Sequence, residues 1–124
     1  MAGPGAVPTI QVFGRKDSRE TQRALRFFRE RRAAISFVDV AVRPPSRGEL
    51  RRFAQRFGAE ALLDRGSRVY LDTGMGYLRM DADEIMDRLD RDSRLLRLPL
   101  TRFGDRLAVG LDEPSWTEWL KAAQ

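Results

Sequence analysis

The residues best placed to do chemistry lie close together, in Arg15-Lys16-Asp17-Ser18-Arg19-Glu20-Thr21. Arg15 and Lys16 lead into a helix start, where free backbone amides and the helix dipole favour phosphate, arsenate or sulfate; Asp17 weakens that attraction. Ser18 reads either as a first-turn residue or as an anion contact. Thr21 lies on the core side of the same helix and reads as packing. The chain contains no Cys and no His. Disulfides, thiolate nucleophiles, thiol redox cycling and imidazole acid–base catalysis are thereby excluded, together with zinc sites of the usual Cys/His kind. The acidic residues Asp81, Asp83, Glu84, Asp87, Asp90 and Asp92 lack the glycine and ligand spacing of a calcium loop. They read as an exposed helix face paired with Arg88 and Arg91, and no metal site is expected.

Those residues sit in a 124-residue chain, enough for one domain and one sizeable core. The net charge of +5 is unevenly spread. Residues 15–56 carry 13 basic and five acidic residues, while the remainder is acidic on balance. A basic front half suits an acidic protein surface or an anion. Nucleic acid is not expected, because no aromatic ladder interleaves the arginines. No stretch approaches the roughly 20 apolar residues of a membrane span, and the first eight residues lack the basic, apolar pattern of a signal peptide. The default location is cytoplasmic.

The elements that must position the chemistry follow from periodicity and turn signals. Residues 1–8 read as a flexible Gly/Pro leader, and the domain is expected to run from 9 to 124. Thr9–Phe13 alternates as a strand ending at Gly14. Asp17 and Glu20 have capping-box spacing, opening an amphipathic helix to about Arg32 with Ala24, Leu25, Phe27 and Phe28 on its buried side. Residues 35–40 form a second strand, and the short links suit a parallel crossover. Pro44-Pro45-Ser46 blocks regular structure and caps a helix carrying Leu50, Phe53 and Phe57, which Gly58 stops. Ala61-Leu62-Leu63 is a buried turn, 64–68 a polar loop, and 81–91 a helix. Residues 95–102 read as a strand interrupted by Pro99, which fits a cis bend at the strand's start. Gly104-Asp105 turns a hairpin into 106–110. A closing helix from Glu113-Pro114-Ser115 presents Trp116, Trp119 and Leu120 to the core.

This order, β-α-β, a helical middle and β-β-α, resembles the arsenate reductase-related (ArsC/Spx/YffB) family. The resemblance runs from about residue 9 to 121 through Ile10-Gln11-Val12-Phe13-Gly14, Thr21–Phe28, Phe37-Val38-Asp39-Val40, Gly58–Leu63, Leu98-Pro99-Leu100 and the closing Gly110…Trp116…Trp119-Leu120. It implies an α/β thioredoxin-like fold: a four-stranded mixed sheet with flanking helices and a helical insertion over about 44–94. The family's nucleophilic cysteine, at the start of the first helix, matches Ser18, and a second cysteine of some members matches Thr21. Reductases of the family carry an Arg immediately before the cis-proline, where this chain has Leu98 before Pro99. Arg97 and Arg102 need not point at Ser18, since strand alternation sends successive side chains to opposite faces. Arg65 and Arg68 lie in the loop where reductases use a further cation.

With two parts of the catalytic assembly missing, no catalytic residue is expected. The resemblance then implies a non-catalytic relative that binds a protein partner or a small anion. Candidate contacts are Arg15, Lys16, Ser18, Thr21, Arg65, Arg68, Leu98 and Pro99. No cofactor is expected. Glutathione enters through the family, in which the backbone of the residue before the cis-proline supports thiol ligands. Spx-type relatives bind RNA polymerase, which makes a regulatory role conceivable. The alternative is a glutathione- or thiol-linked, glutaredoxin-like reductase whose cysteine has been replaced by Ser18, naturally or by engineering.

Overall fold

The computed structural model describes residues 9–123; the leader expected at 1–8 lies outside the described residues. Strand β1 (Thr9–Gly14) leads through a short loop into helix α1 (Arg19–Glu30) and back along β2 (Ala34–Asp39). Three helices follow, α2 (Arg47–Phe57), α3 (Arg68–Asp72) and α4 (Ala82–Arg91), joined by single 3₁₀ turns. The hairpin β3 (Leu100–Phe103) and β4 (Arg106–Val109) then leads into α5 (Glu113–Ala122). The sheet order is β2-β1-β3-β4, with β1 parallel to β2 and antiparallel to β3. The expected mixed four-stranded sheet is therefore present, with α2 to α4 inserted between β2 and β3.

Strand alternation splits the core into two layers. Ile10 and Val12 of β1 join Leu25, Phe27 and Phe28 of α1 and Trp116 and Trp119 of α5 on one face. On the other, Phe13 joins Leu50 and Phe53 of α2, Ile85, Met86 and Leu89 of α4, and Leu95, Leu96, Leu98 and Leu100. The aromatic side chains interlock: the Trp116 ring lies 5.3 Å from Phe27 and 5.0 Å from Phe28, and Phe13 meets Phe53 edge-on. Both tryptophans are buried, as their spacing on one helix face indicated.

Several local expectations are corrected. Helix α1 is capped by Ser18, one residue beyond Asp17, and ends at Glu30 because the chain turns through Arg31 and Arg32, the latter with φ +56°. The strand expected over 95–102 is confined to Leu100–Phe103: Ser93–Leu95 is a 3₁₀ turn and Leu98–Pro99 is cis. The polar loop expected over 64–68 stops at Ser67, which caps the short helix α3 beginning at Arg68. Phe57 is 40% exposed rather than packed, since Gly58 (φ +86°) ends α2 beside it. The acidic helix face does not pair with Arg88 and Arg91. Arg47 of α2 holds Asp87 at 2.7 Å and Asp90 at 3.8 Å, so the charges tie two helices together. The Asp87 hydrogen bond, ahead of Coulomb attraction to the neighbouring carboxylates, raises the Arg47 pKa.

One buried polar pair crosses the core. The Trp116 Nε1–H donates to Thr101 Oγ1 at 2.9 Å, and both residues are fully buried. Thr101→Val keeps the shape but strands the indole N–H, at a cost of about 1–3 kcal/mol, whereas Thr101→Ser retains the acceptor. Urea denaturation followed by tryptophan fluorescence is expected to rank the variants wild type, Ser, Val.

Candidate functional site

The site grows from the end of β1. Gly14 lies so close to Thr21 that any Cβ there would overlap both the Thr21 methyl and its hydroxyl. The Thr21 hydroxyl accepts the Arg15 backbone N–H at 3.3 Å. The loop closes with Ser18 N–H donating to the Arg15 carbonyl at 3.1 Å and Gln22 Nε2 donating to the Lys16 carbonyl at 2.9 Å. Thr21 is fully buried, and it is also the peg that fixes the Arg15–Ser18 loop.

Ser18 is the N-cap of α1 and is 9% exposed. Its Oγ accepts the Thr21 N–H at 3.1 Å and its hydroxyl reaches Glu20 Oε2 at 3.4 Å. A neutral hydroxyl in these contacts satisfies a helix-end amide, as serine commonly does. Nothing beside it can serve as a histidine-type base, because the chain has none.

Ser18 opens on a groove of about 460 Å³. Arg15, Arg19 and Arg97 line it, opposed by Asp17, Glu20 and Asp64, with Leu96, Leu98, Gly110 and Leu111 as its apolar wall. Arg15 Nε is closed off from solvent and lacks a hydrogen bond, although Asp17 Oδ1 lies 3.3 Å away. Leu98 is buried, and neither its backbone N–H nor its carbonyl finds a partner among the described residues.

Arg97 was not expected to be assured of this position. Strand alternation does not govern it, because residues 96–98 precede β3: Leu96 bridges to Leu63, and the Arg97 N–H donates to the Leu62 carbonyl at 2.8 Å. Its guanidinium rests over Gly110, where a Cβ would meet Nε at 2.9 Å. Gly110 also has φ +71°, a conformation that suits glycine, and its N–H donates to the Pro99 carbonyl at 2.8 Å. Arg102 instead turns away, to Glu49 Oε1 at 3.4 Å and the Gly104 carbonyl.

Other expected contacts lie outside the groove. Lys16 is exposed and does not line it. Arg65 pairs with Glu60 at 3.4 Å and lines a neighbouring hollow with Phe57 and Arg97. Arg68 is exposed at the start of α3. Pro99 is buried and does not line the groove. The sequence reading missed Arg19, Asp64 and Gly110; Gly110 alone carried a local signal, as a glycine ending a strand.

Asp92 lies outside the groove and holds the turn that contacts it. This carboxylate caps the Ser93–Leu95 turn through the Arg94 N–H and grips the Arg94 guanidinium at 2.9 and 2.8 Å. Leu95 then accepts the Asp64 N–H at 2.8 Å, which joins the turn to the groove. The Arg94 side-chain hydrogen bond, and more distantly Arg15, lower the Asp92 pKa.

Architecture and site together define the thioredoxin-like class: a β-α-β and β-β-α sheet with the first helix N-terminus facing a cis-proline. Within that class the chain belongs to the ArsC family, matching it over residues 13–119. The uncharacterized protein YusI of Bacillus subtilis (strain 168) is 26% identical to it, over 78% of this chain and 86% of that one. Among solved structures, the YFFB protein superposes with a TM-score of 0.83 at 19% identity, covering 90% of this chain and 98% of its own. An arsenate reductase from Vibrio cholerae gives a TM-score of 0.76 at 14% identity, over 93% and 98%. No helix among the described residues is long and apolar enough to cross a membrane.

Two outcomes test this geometry. Gly14→Ala overpacks against Thr21 and is expected to lower stability by about 1–3 kcal/mol, part of which Thr21→Ala restores in a double-mutant cycle. Asp92→Asn is expected to lower the urea midpoint at neutral pH. Because folding lowers the Asp92 pKa, its contribution is present above the ordinary value near 3.8 and lost as pH falls through the lower folded value. The two proteins should therefore converge in midpoint below that range.

Proposed function

We propose that this protein acts by binding, without redox turnover, and that the Ser18 groove takes a small anion: an oxyanion or the carboxylate of a glutathione-like molecule. The observation that carries the reading is the engagement of Ser18. Its oxygen caps the helix and its proton faces Glu20, in a chain without sulfur outside its methionines. Three arginines would support the anion, Arg15 and Arg19 from the β1–α1 junction and Arg97 from the opposite wall, with the α1 amides behind them. The equal number of opposing carboxylates means that attraction depends on placed contacts rather than on a general positive field. The unpartnered Leu98 backbone suits a ligand with a peptide-like unit, which favours glutathione over a bare oxyanion.

Calorimetric titration with arsenate, phosphate and glutathione tests the groove. Binding is expected to weaken about tenfold or more in Arg97→Ala and in Arg15→Ala, the scale of losing a charged hydrogen bond. No heat with any of the three ligands, or affinity unchanged in both variants, overturns the assignment. Arsenate supplied with glutathione and glutaredoxin should be reduced no faster than in a heat-killed control.

A second reading is favoured by one geometric fact: the Thr21 N–H points at the Ser18 side-chain atom that a nucleophilic sulfur would occupy. On that reading the chain is a thiol-linked reductase with its cysteine replaced. Ser18→Cys supplies a lone cysteine whose thiolate can be titrated by absorbance. Its pKa is expected below the free-thiol value of about 8.5, because the helix end outweighs Glu20. Arsenate turnover by that variant would support the second reading, while a low pKa without turnover would support binding.

A further inference from the structure

The open edge of the sheet at β2 bears on a different surface from the groove and stands independently of it. Among the described residues β2 is an outer strand, hydrogen-bonded to β1 alone. Val40 N–H donates to the Gly14 carbonyl at 2.9 Å, which sets the phase of the parallel ladder. Hydrogen-bonding direction alternates along a strand, so Ala34, Ser36 and Val38 also face β1, and Ile35, Phe37 and Asp39 face outward. The Asp39 carbonyl is taken by Val42 and Arg43 N–H groups at 3.0 and 2.8 Å. The N–H and carbonyl of Ile35 and of Phe37, and the N–H of Asp39, have no partner among the described residues.

Edge strands are usually guarded by an internal charge, a proline, a bulge or brevity. From Ala34 to Val38 this strand has none of these devices: Ala-Ile-Ser-Phe-Val runs as a regular ladder against β1. Ile35 and Phe37 remain half-buried against the α1 layer, and Val38 against the other. Cations outnumber carboxylates at the two ends, where Glu30 lies between Arg29 and Arg31, and Asp39 Oδ1 accepts the Ala41 N–H. Arg29 and Arg32 precede the strand and Arg43 follows it, all exposed and without an ion pair among the described residues. Self-pairing is opposed by this layout. An antiparallel copy centred on Phe37 would bring Arg31 and Arg32 of one chain to Arg43 of the other.

We propose that β2 is a docking edge for an extended acidic segment of a partner protein, which adds a fifth strand beside Phe37 with its carboxylates meeting Arg32 and Arg43. Main-chain hydrogen bonds supply the attachment, the half-exposed Ile35 and Phe37 select an apolar residue, and the flanking arginines select negative charge.

The probe is a fluorescein-labelled six-residue peptide alternating Glu and Val, followed by anisotropy and by amide hydrogen exchange of the whole chain. In the free protein, Ile35, Phe37 and Asp39 amides should exchange faster than those of Ser36, Val38 and Val40. Peptide saturation should slow the first set at least about tenfold. N-methylation of one alternate set of peptide amides should abolish binding while methylation of the other set leaves it intact. Arg32→Glu with Arg43→Glu, both on exposed positions, should weaken binding about tenfold or more, and Arg97→Ala should not. Absence of protection at peptide concentrations up to about 1 mM, or equal losses from both methylated sets, overturns the proposal. Sedimentation showing a dimer whose Ile35 and Phe37 amides are already protected would assign the edge to a second copy and likewise overturn it.

Discussion

The contact between Gly14 and Thr21 governs the geometry of everything at this end of the molecule. Because position 14 carries no side chain, the first turn of α1 can sit against the end of β1, and the Thr21 hydroxyl can reach the Arg15 amide. That single tie fixes the loop through Ser18, aims the helix end into the groove and sets where Arg15 stands. A methyl group at position 14 would separate the strand from the helix and loosen all three. Close packing of this kind transmits displacement instead of absorbing it.

The same tie sets the place of Ser18, whose side chain closes the first turn of α1. A serine oxygen is a good helix cap, and here it fills that role with a buried hydrogen bond of 3.1 Å. As a neutral hydroxyl it gains little from the helix dipole, which stabilises charge. The helix start therefore meets the groove with a neutral side chain among the charged ones that line it. Arg97 reinforces this arrangement from the opposite wall. It reaches the groove without occupying the residue just before Pro99, because Gly110 leaves room for its guanidinium.

The arginine-rich front half divides between structural and available charge. Arg47 clamps Asp87 and Asp90, and Arg31 stacks 3.6 Å over the Phe27 ring. Arg29, Arg32 and Arg43 are left at the ends of β2 with no such partner among the described residues. A positive excess read from composition is thus resolved into side chains held by named partners and others left exposed at the ends of β2.

Periodicity, caps and turn residues were enough to give most of the element order and the parallel β1–β2 crossover, though not helix α3, since these depend on local pattern and on burying apolar faces. The absence of Cys and His likewise settled which chemistries the chain lacks. Local signals failed where tertiary partners decide. Asp17 had cap-like spacing, yet Ser18 caps α1 because the Thr21 peg fixes the loop. Arg97 was judged by strand alternation, yet its backbone is held by Leu62 before the strand begins. The acidic helix face looked self-paired, yet its partner Arg47 lies 40 residues away. Thr101 gave no sign that it would satisfy Trp116, because that bond exists only once β3 and α5 lie together. The amino-acid sequence alone therefore determined the architecture and the loss of sulfur chemistry. Only the folded chain decided which charges face the groove, because that depends on contacts between segments whose spacing along the chain carries no periodic mark.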